Sequence, residues 1–292
     1  MPHRLTTSNG PTVLRRKLPL AVILPLTAGL LVTAPPPAAF AATDGSVVHA
    51  TQITQDVPEA DLLDVSFEDG SATDTAQGRS VEVFGEPKIA DDPALNRVTA
   101  DFDGDDAFSY PMTADDYDTM QDGFSVECGF MATAATTDED TFCGNKEAGG
   151  WAMVVKDGRA AFMLHADGGY TFAWADIDLN RWYHAAGVYD GETVKFYLDG
   201  ELAAEAVAGG PMTIPPNDTA HNMVIGADSG PNHRPGQHAS VKVDDARLFS
   251  EVLDAQQVAA LDQASFAGLR QDQPELVQST PADGSELTQA TE

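Results

Sequence analysis

Carboxylates dominate the residues whose types and spacing could do chemistry. Glu82 and Glu86 in VEVFGEP come nearest to a glycan-cleaving pair, which a retaining enzyme holds about 5–5.5 Å apart. Phe84 takes the same-face position between them and Pro87 ends the strand, so the pair is poorly placed for that work. Hard cations need several oxygens at once. Asp101, Asp103, Asp105 and Asp106 in DFDGDD look like the start of a helix–loop–helix calcium loop. However, Gly104 falls at the fourth position rather than the sixth, and Met112 stands where the closing Glu belongs, so this reads as an acidic turn. Glu68, Asp69 and Asp74 in FEDGSATDT bracket a small-residue loop and are the better candidates for calcium. His184 in WYHAAGVY has apolar neighbours and no G-x-S-x-G partner, and reads as a sheet residue rather than a base. His233 and His238 sit in a Pro- and Gly-rich loop with no acid between them.

Aromatic rings are the other chemical resource. Tyr170, Phe172 and Trp174 alternate in YTFAWA, so a strand sets them on one side at intervals of about 6.6–6.8 Å. That suits a platform for stacking on sugar faces, or a sandwich core, and the burial habit of aromatics favours the core. Trp151, which follows the glycines of GNKEAGGW, has the same two readings.

The elements that must position these residues are short and apolar, separated by Gly, Asp, Asn and Pro at roughly the 8–12-residue spacing of a β-sandwich. LLDVSF, SVEVFG, RVTADF, AFSYPM, FSVECGFM, WAMVV, AAFMLH, YTFAWA, RWYHAAGVY, TVKFYL, LAAEAV, NMVIGA and VKVDDARLF all read as strands. In RWYHAAGVYDGETVKFYLDG, Asp190-Gly191 and Asp199-Gly200 mark tight turns. The first strand of that stretch is apolar on both alternating sets and is expected at the centre of a sheet. One helical signal, SEVLDAQQVAALDQ, has Ser250 as its expected N-cap. The fold class is therefore all-β, a two-sheet antiparallel sandwich. Phosphate-binding glycine motifs and strand–helix alternation are absent from the sequence.

Residues 1–41 have a basic start, an apolar middle and an Ala39-Phe40-Ala41 cleavage site, and are expected to be a secretory signal peptide. Prolines break the apolar run before it reaches the length of a membrane span. The chain carries 46 acidic and 16 basic residues, a formal charge of −30. Such a field excludes nucleic acid and anionic membranes as partners. In an exported protein the only two cysteines, Cys128 and Cys143, are expected to form a disulfide.

Five blocks in one order then carry a resemblance: LLDVSFEDGSATDTAQG, ADFDGDDAFSYP, DGFSVECGF, NRWYHAAGVYDGETVKFYLDGE and VDDARLFSEVLDAQQVAAL. Together they resemble the laminin G-like domains of the concanavalin A-like superfamily, bacterial secreted type. Cys128 departs from the small or apolar residue usual at that place. The resemblance implies a jelly roll over 58–265, after a lead-in at 42–57. It also implies that the first and last strands lie side by side, bringing Asp244 to Glu68, Asp69 and Asp74 as a fourth calcium ligand. The tail at 266–292 is polar, and reads as a linker or the start of a truncated immunoglobulin-like module. In function the resemblance implies a non-catalytic module of a larger secreted protein. It would recognise a glycan or an extracellular protein, with Trp151, Tyr170 and Trp174 as candidate ligand contacts. The alternatives are a glucan hydrolase of the same superfamily, whose E-x-D-x-x-E string is absent, and a spacer without a ligand.

Overall fold

The computed structural model describes residues 57–167, 169–215 and 221–270. The expected signal peptide, nearly all of the lead-in and the tail beyond 270 lie outside the described residues. In chain order the first strands are β1 (Leu63–Ser66), β2 (Glu82–Phe84), β3 (Lys88–Asp92), β4 (Arg97–Asp103) and β5 (Ala107–Tyr110). Helix α1 (Ala114–Met120) precedes β6 (Phe124–Ala132), β7 (Asp140–Asn145), β8 (Trp151–Lys156), β9 (Arg159–Ala166) and β10 (Gly169–Asp176). Then come β11 (Tyr183–Tyr189), β12 (Thr193–Leu198), β13 (Glu201–Val207), β14 (Met223–Ile225), β15 (Ser240–Phe249) and α2 (Ala255–Arg270).

Two antiparallel sheets result. One has eight strands in the order β13-β12-β11-β6-β15-β4-β3, with β1 also paired to β15. The other has seven, in the order β10-β9-β8-β7-β14-β5-β2. The first and last strands do lie side by side, with Ser66 opposite Asp245 and Leu63 opposite Leu248. β11 is buried along its whole length, as its doubly apolar pattern requires, because the seven-stranded sheet covers one of its faces and residues 253–261 cover the other. Asp199 and Gly200 both adopt positive φ (54° and 77°), the pairing a two-residue hairpin turn needs, and so join β12 to β13.

Between the sheets, alternate residues interdigitate. Phe124 packs on Trp151, Phe162 and Tyr189, while Phe130 stacks on Phe142 at 4.4 Å and on Tyr183 at 5.7 Å. Cys128 and Cys143 belong to this interior, and the expected disulfide is corrected: both are free, buried thiols. The reason is topological. β6 belongs to one sheet and β7 to the other, so the two cysteines face each other across the sandwich instead of lying on neighbouring strands. Facing sheets stand about 10 Å apart, whereas bridged Cα atoms are usually about 4.4–6.8 Å apart. Burial, then the adjacent Cys143, push the Cys128 thiol well above its ordinary pKa.

Other differences from the sequence reading are local. The acidic turn of ADFDGDDAFSYP passes the chain from one sheet to the other, because β4 and β5 lie in different sheets and residues 104–106 join them. Strands β3 and β7 and helix α1 lie outside the runs read as strands or helix from the sequence. The start of α1 is fixed by a capping box in which Thr113 and Asp116 satisfy each other's backbone N–H groups. The N-cap of α2 is Asp254, not Ser250: its Oδ1 accepts the N–H of Gln256 and Gln257, and Gln257 Oε1 accepts the Asp254 N–H. Ser250 instead donates its N–H to Asp61 at 2.8 Å.

Candidate functional site

The outward face of the eight-stranded sheet is roofed by α2. Leu253, Val258 and Leu261 pack on Ala186, Val188, Tyr197 and Phe249. Farther along the helix, Phe266 lies 5.9 Å from the His184 ring and over Gly129, where a Cβ would come within 2.7 Å of it. Beneath this roof the motif residues of the sequence converge. A bulge in β15 between Val243 and Ala246 accommodates an extra residue, and Asp244 and Asp245 are both buried there. Arg97 reaches Glu68 at 2.9 Å, Asp244 at 2.8 Å and Asp245 at 3.0 Å. Arg247 reaches Glu127 at 2.7 Å, Asp245 at 2.9 Å and Asp64 at 3.2 Å. His184 is fully buried, 3.9 Å from Glu127 and 3.7 Å from Asp262.

This layer is also where the calcium expectation is tested by geometry. Asp74 accepts backbone N–H groups from Asp64, Ala76 and Gln77 on Oδ1 and from Arg79 on Oδ2. Asp69 turns the chain by accepting the N–H and hydroxyl of Ser71 at 2.8 and 2.7 Å, which holds its carboxyl below the usual range. Only Glu68 and Asp244 are brought together, and the Arg97 guanidinium stands between them. The four residues are not gathered into a calcium shell: Asp69 and Asp74 are engaged within their own loop, and an arginine supplies the cation where Glu68 and Asp244 meet. Asp244 is near Arg97 but out of hydrogen-bond alignment with it. Burial, followed by repulsion from Asp245, pushes its carboxyl up to about 8 despite Arg97. Among the described residues, the acidic group whose ligand atoms lie within 4.8 Å of one another is Asp103, Asp105 and Asp106. There Asp106 accepts the Glu86 N–H, as a turn residue does.

The outward face of the seven-stranded sheet is different. Trp151 is not on it: at 1% exposure it lies in the core, beyond the reach of a ligand. The Tyr170–Phe172–Trp174 stripe is on it, contrary to the core placement favoured from sequence. Register explains this: Ala173 of β10 enters the core, which turns its even-numbered neighbours outward. Phe172 and Trp174 rest half-buried on Ala152, Val154, Ala161 and Met163, with their rings stacked at 5.3 Å and nearly parallel. Arg159 lies over Trp174 at 4.9 Å. Tyr170 is 47% exposed, stacks on His165 at 4.4 Å and donates its hydroxyl to the Lys146 carbonyl at 3.1 Å.

Beside the stripe opens a cleft of about 360 Å³, with Tyr170, Phe172 and Met163 on its apolar side. Its polar side carries Glu139, Lys146, Glu147, Asp228 and Gln237. Asp228 is 4% exposed and accepts the Lys146 N–H at 2.8 Å. Burial pushes its carboxyl up to about 6, and the Glu147 charge adds to this. The Lys146 ammonium donates to the Glu139 carbonyl at 3.1 Å, and burial lowers its pKa. Sequence reasoning missed this polar wall, because Lys146 and Asp228 are 82 residues apart and meet through a loop after β14. Glu82, by contrast, lines a separate cleft of about 300 Å³ whose other lining residues carry no carboxylate.

A two-sheet antiparallel jelly roll with one face roofed and an aromatic face left open defines the class. The chain belongs to the concanavalin A-like lectin/glucanases superfamily, whose laminin G-type family model matches residues 102–259. Among solved structures it is similar to the binding domain of botulinum neurotoxin DC in complex with SialylT, at 12% identity and TM-score 0.57, covering 72% of this chain and 52% of that one. It is also similar to the receptor binding domain of botulinum neurotoxin C/D mosaic serotype, at 13% identity and TM-score 0.56, covering 70% and 51%. The binding domain of Paraclostridial Mosquitocidal Protein 1 is comparable, at 12% identity and TM-score 0.55, covering 70% and 52%. The chain thus spans about half the length of these structures, and at such identities the likeness is one of fold. No curated protein sequence matches the chain.

Proposed function

We propose that this chain is a secreted, non-catalytic recognition module that binds a saccharide on the outward face of its seven-stranded sheet, as part of a larger extracellular protein. The observation that carries the reading is the outward stripe of exposed Tyr170 and half-buried Phe172 and Trp174 beside a cleft that mixes carboxylate, amide and aromatic walls. Sugar rings present apolar C–H faces to aromatic planes and hydroxyls to polar rims, so such a surface satisfies both halves of the ligand. Support also comes from the fold neighbours, which are binding domains, one of them in complex with SialylT. Export rests on the sequence of residues 1–41, and no helix among the described residues is long and apolar enough to cross a membrane. A glycan array tests the reading: Tyr170→Ala and Trp174→Ala should each lose binding while the melting temperature stays near wild type. Unchanged binding in both variants would remove the stripe from the ligand surface.

One observation favours a second reading, glycan cleavage. Asp228 is an acid whose carboxyl is raised to about 6, close enough to Glu147 to feel its charge, in a cleft with aromatic walls. Release of reducing sugar that Asp228→Asn abolishes would establish it over the first.

A further inference from the structure

The ligand class can be narrowed by charge, on the premise that the cleft binds saccharide. Three carboxylates, Glu139, Glu147 and Asp228, line the cleft against one ammonium, Lys146. That ammonium is turned onto the Glu139 carbonyl and is not within ion-pair distance of any carboxylate of the cleft. Glu139 is partly neutralised from outside by Lys156 at 3.3 Å. Glu147 makes no ion pair among the described residues, and Asp228 accepts backbone N–H groups and feels Lys146 only from beyond ion-pair distance, so negative charge is in excess beside the Tyr170 ring. The whole chain, at −30, adds a field of the same sign. A carboxylated or sulfated sugar would meet repulsion at short and long range. We infer that the cleft recognises a basic saccharide, a hexosamine whose free ammonium sits against Glu147 and Asp228 while its ring stacks on Tyr170. Gln237 and the Lys146 carbonyl region offer polar partners for hydroxyls on the same rim.

The test is calorimetric titration at pH 6.5 and low salt with four probes. They are a β-1,4-linked glucosamine tetramer, its fully N-acetylated counterpart, a sialylated lactose and a lysine tetrapeptide. The glucosamine tetramer should bind roughly fivefold to tenfold tighter than the acetylated one, the worth of a half-exposed charge pair. Glu147→Gln should bring that ratio close to one, and so should high salt. Tyr170→Ala should weaken both tetramers. Glu147 lies partly exposed in a loop, so its variant should fold, and an unchanged melt confirms that it does. Equal affinity for the two tetramers, or tighter binding of the sialylated sugar, would overturn the inference and leave the saccharide reading standing. Binding of the lysine peptide as tight as that of the glucosamine tetramer and indifferent to Tyr170→Ala would replace it with plain charge attraction. If no saccharide bound, on these probes or on an array, both readings would fall together.

Discussion

On the eight-stranded sheet the outward face carries Glu127, His184, Asp245 and Arg247 beneath α2, with a cleft of about 760 Å³ at the rim beside Arg97 and Arg247, whereas on the seven-stranded sheet it carries Phe172, Trp174 and the exposed Tyr170. Polar residues are thus buried where the sheet is roofed, and aromatic residues are left accessible where no described helix covers it. The inversion shows how function can be read from placement. Charges under a roof must be answered by other charges, and the ion pairs of Arg97 and Arg247 go to holding β1, β4, β6 and β15 together. Rings on an open sheet cover the residues beneath them with one side and leave the rest available to a ligand.

That contrast is broken most sharply by removing one member from each side. Arg247→Ala takes from the buried Glu127 and Asp245 their nearest cation, leaving them only His184 and Arg97, and should cost about 3 kcal/mol in denaturant unfolding. Arg159→Ala, on the open face, removes only a cation–π contact and should cost about 1 kcal/mol or less. Equal costs would mean that the charged layer is not the fastener described. The tryptophans give the same comparison in apolar terms. Trp151→Ala empties the core beside Phe124 and Phe162, with an expected loss of about 3–5 kcal/mol. Trp174→Ala should lose far less stability, because only part of that ring is buried.

Proton linkage tests the roofed layer through Asp244. An Asp244 carboxyl at about 8 when folded holds its proton more tightly than in the unfolded chain, where it is near 3.8. The folded state therefore binds more protons between those values, and stability should decline as pH rises through that window, then level off above it. Asp244→Asn should flatten that part of the profile. An unchanged slope would place the charge elsewhere in the layer. The smallest effects expected are two. Thiol titration of the denatured, unreduced protein should find Cys128 and Cys143 both free. Melting in calcium and in chelator should coincide, since Asp74 is already saturated by backbone donors.

The short apolar runs made the sandwich legible, with alternation in β12 marking a strand with two unlike sides and the doubly apolar β11 marking one covered on both. The order of the blocks even placed the last strand beside the first. What a linear reading could not supply was the partner of each polar group. Asp74 reads as an ion ligand until its four N–H donors are seen, and Arg97 gives no hint in RVTADF that it will stand between Glu68 and Asp244. The cysteines failed for a related reason: fifteen residues of separation fit adjacent strands as well as opposite sheets, and only the topology decides. For the stripe, alternation showed that Tyr170, Phe172 and Trp174 share a side, but not which side. A period of two is unchanged when the strand is turned over.

The central claim is that the open aromatic face is the ligand surface, and titration of one saccharide into wild type, Tyr170→Ala and Trp174→Ala, each with its melting curve, tests it most directly. The account predicts that a glycan selected on an array binds wild type. Each variant should lose on the order of 1 kcal/mol of binding or more, with the melt nearly unmoved. Full binding in both variants, or a collapsed melt in either, would contradict it.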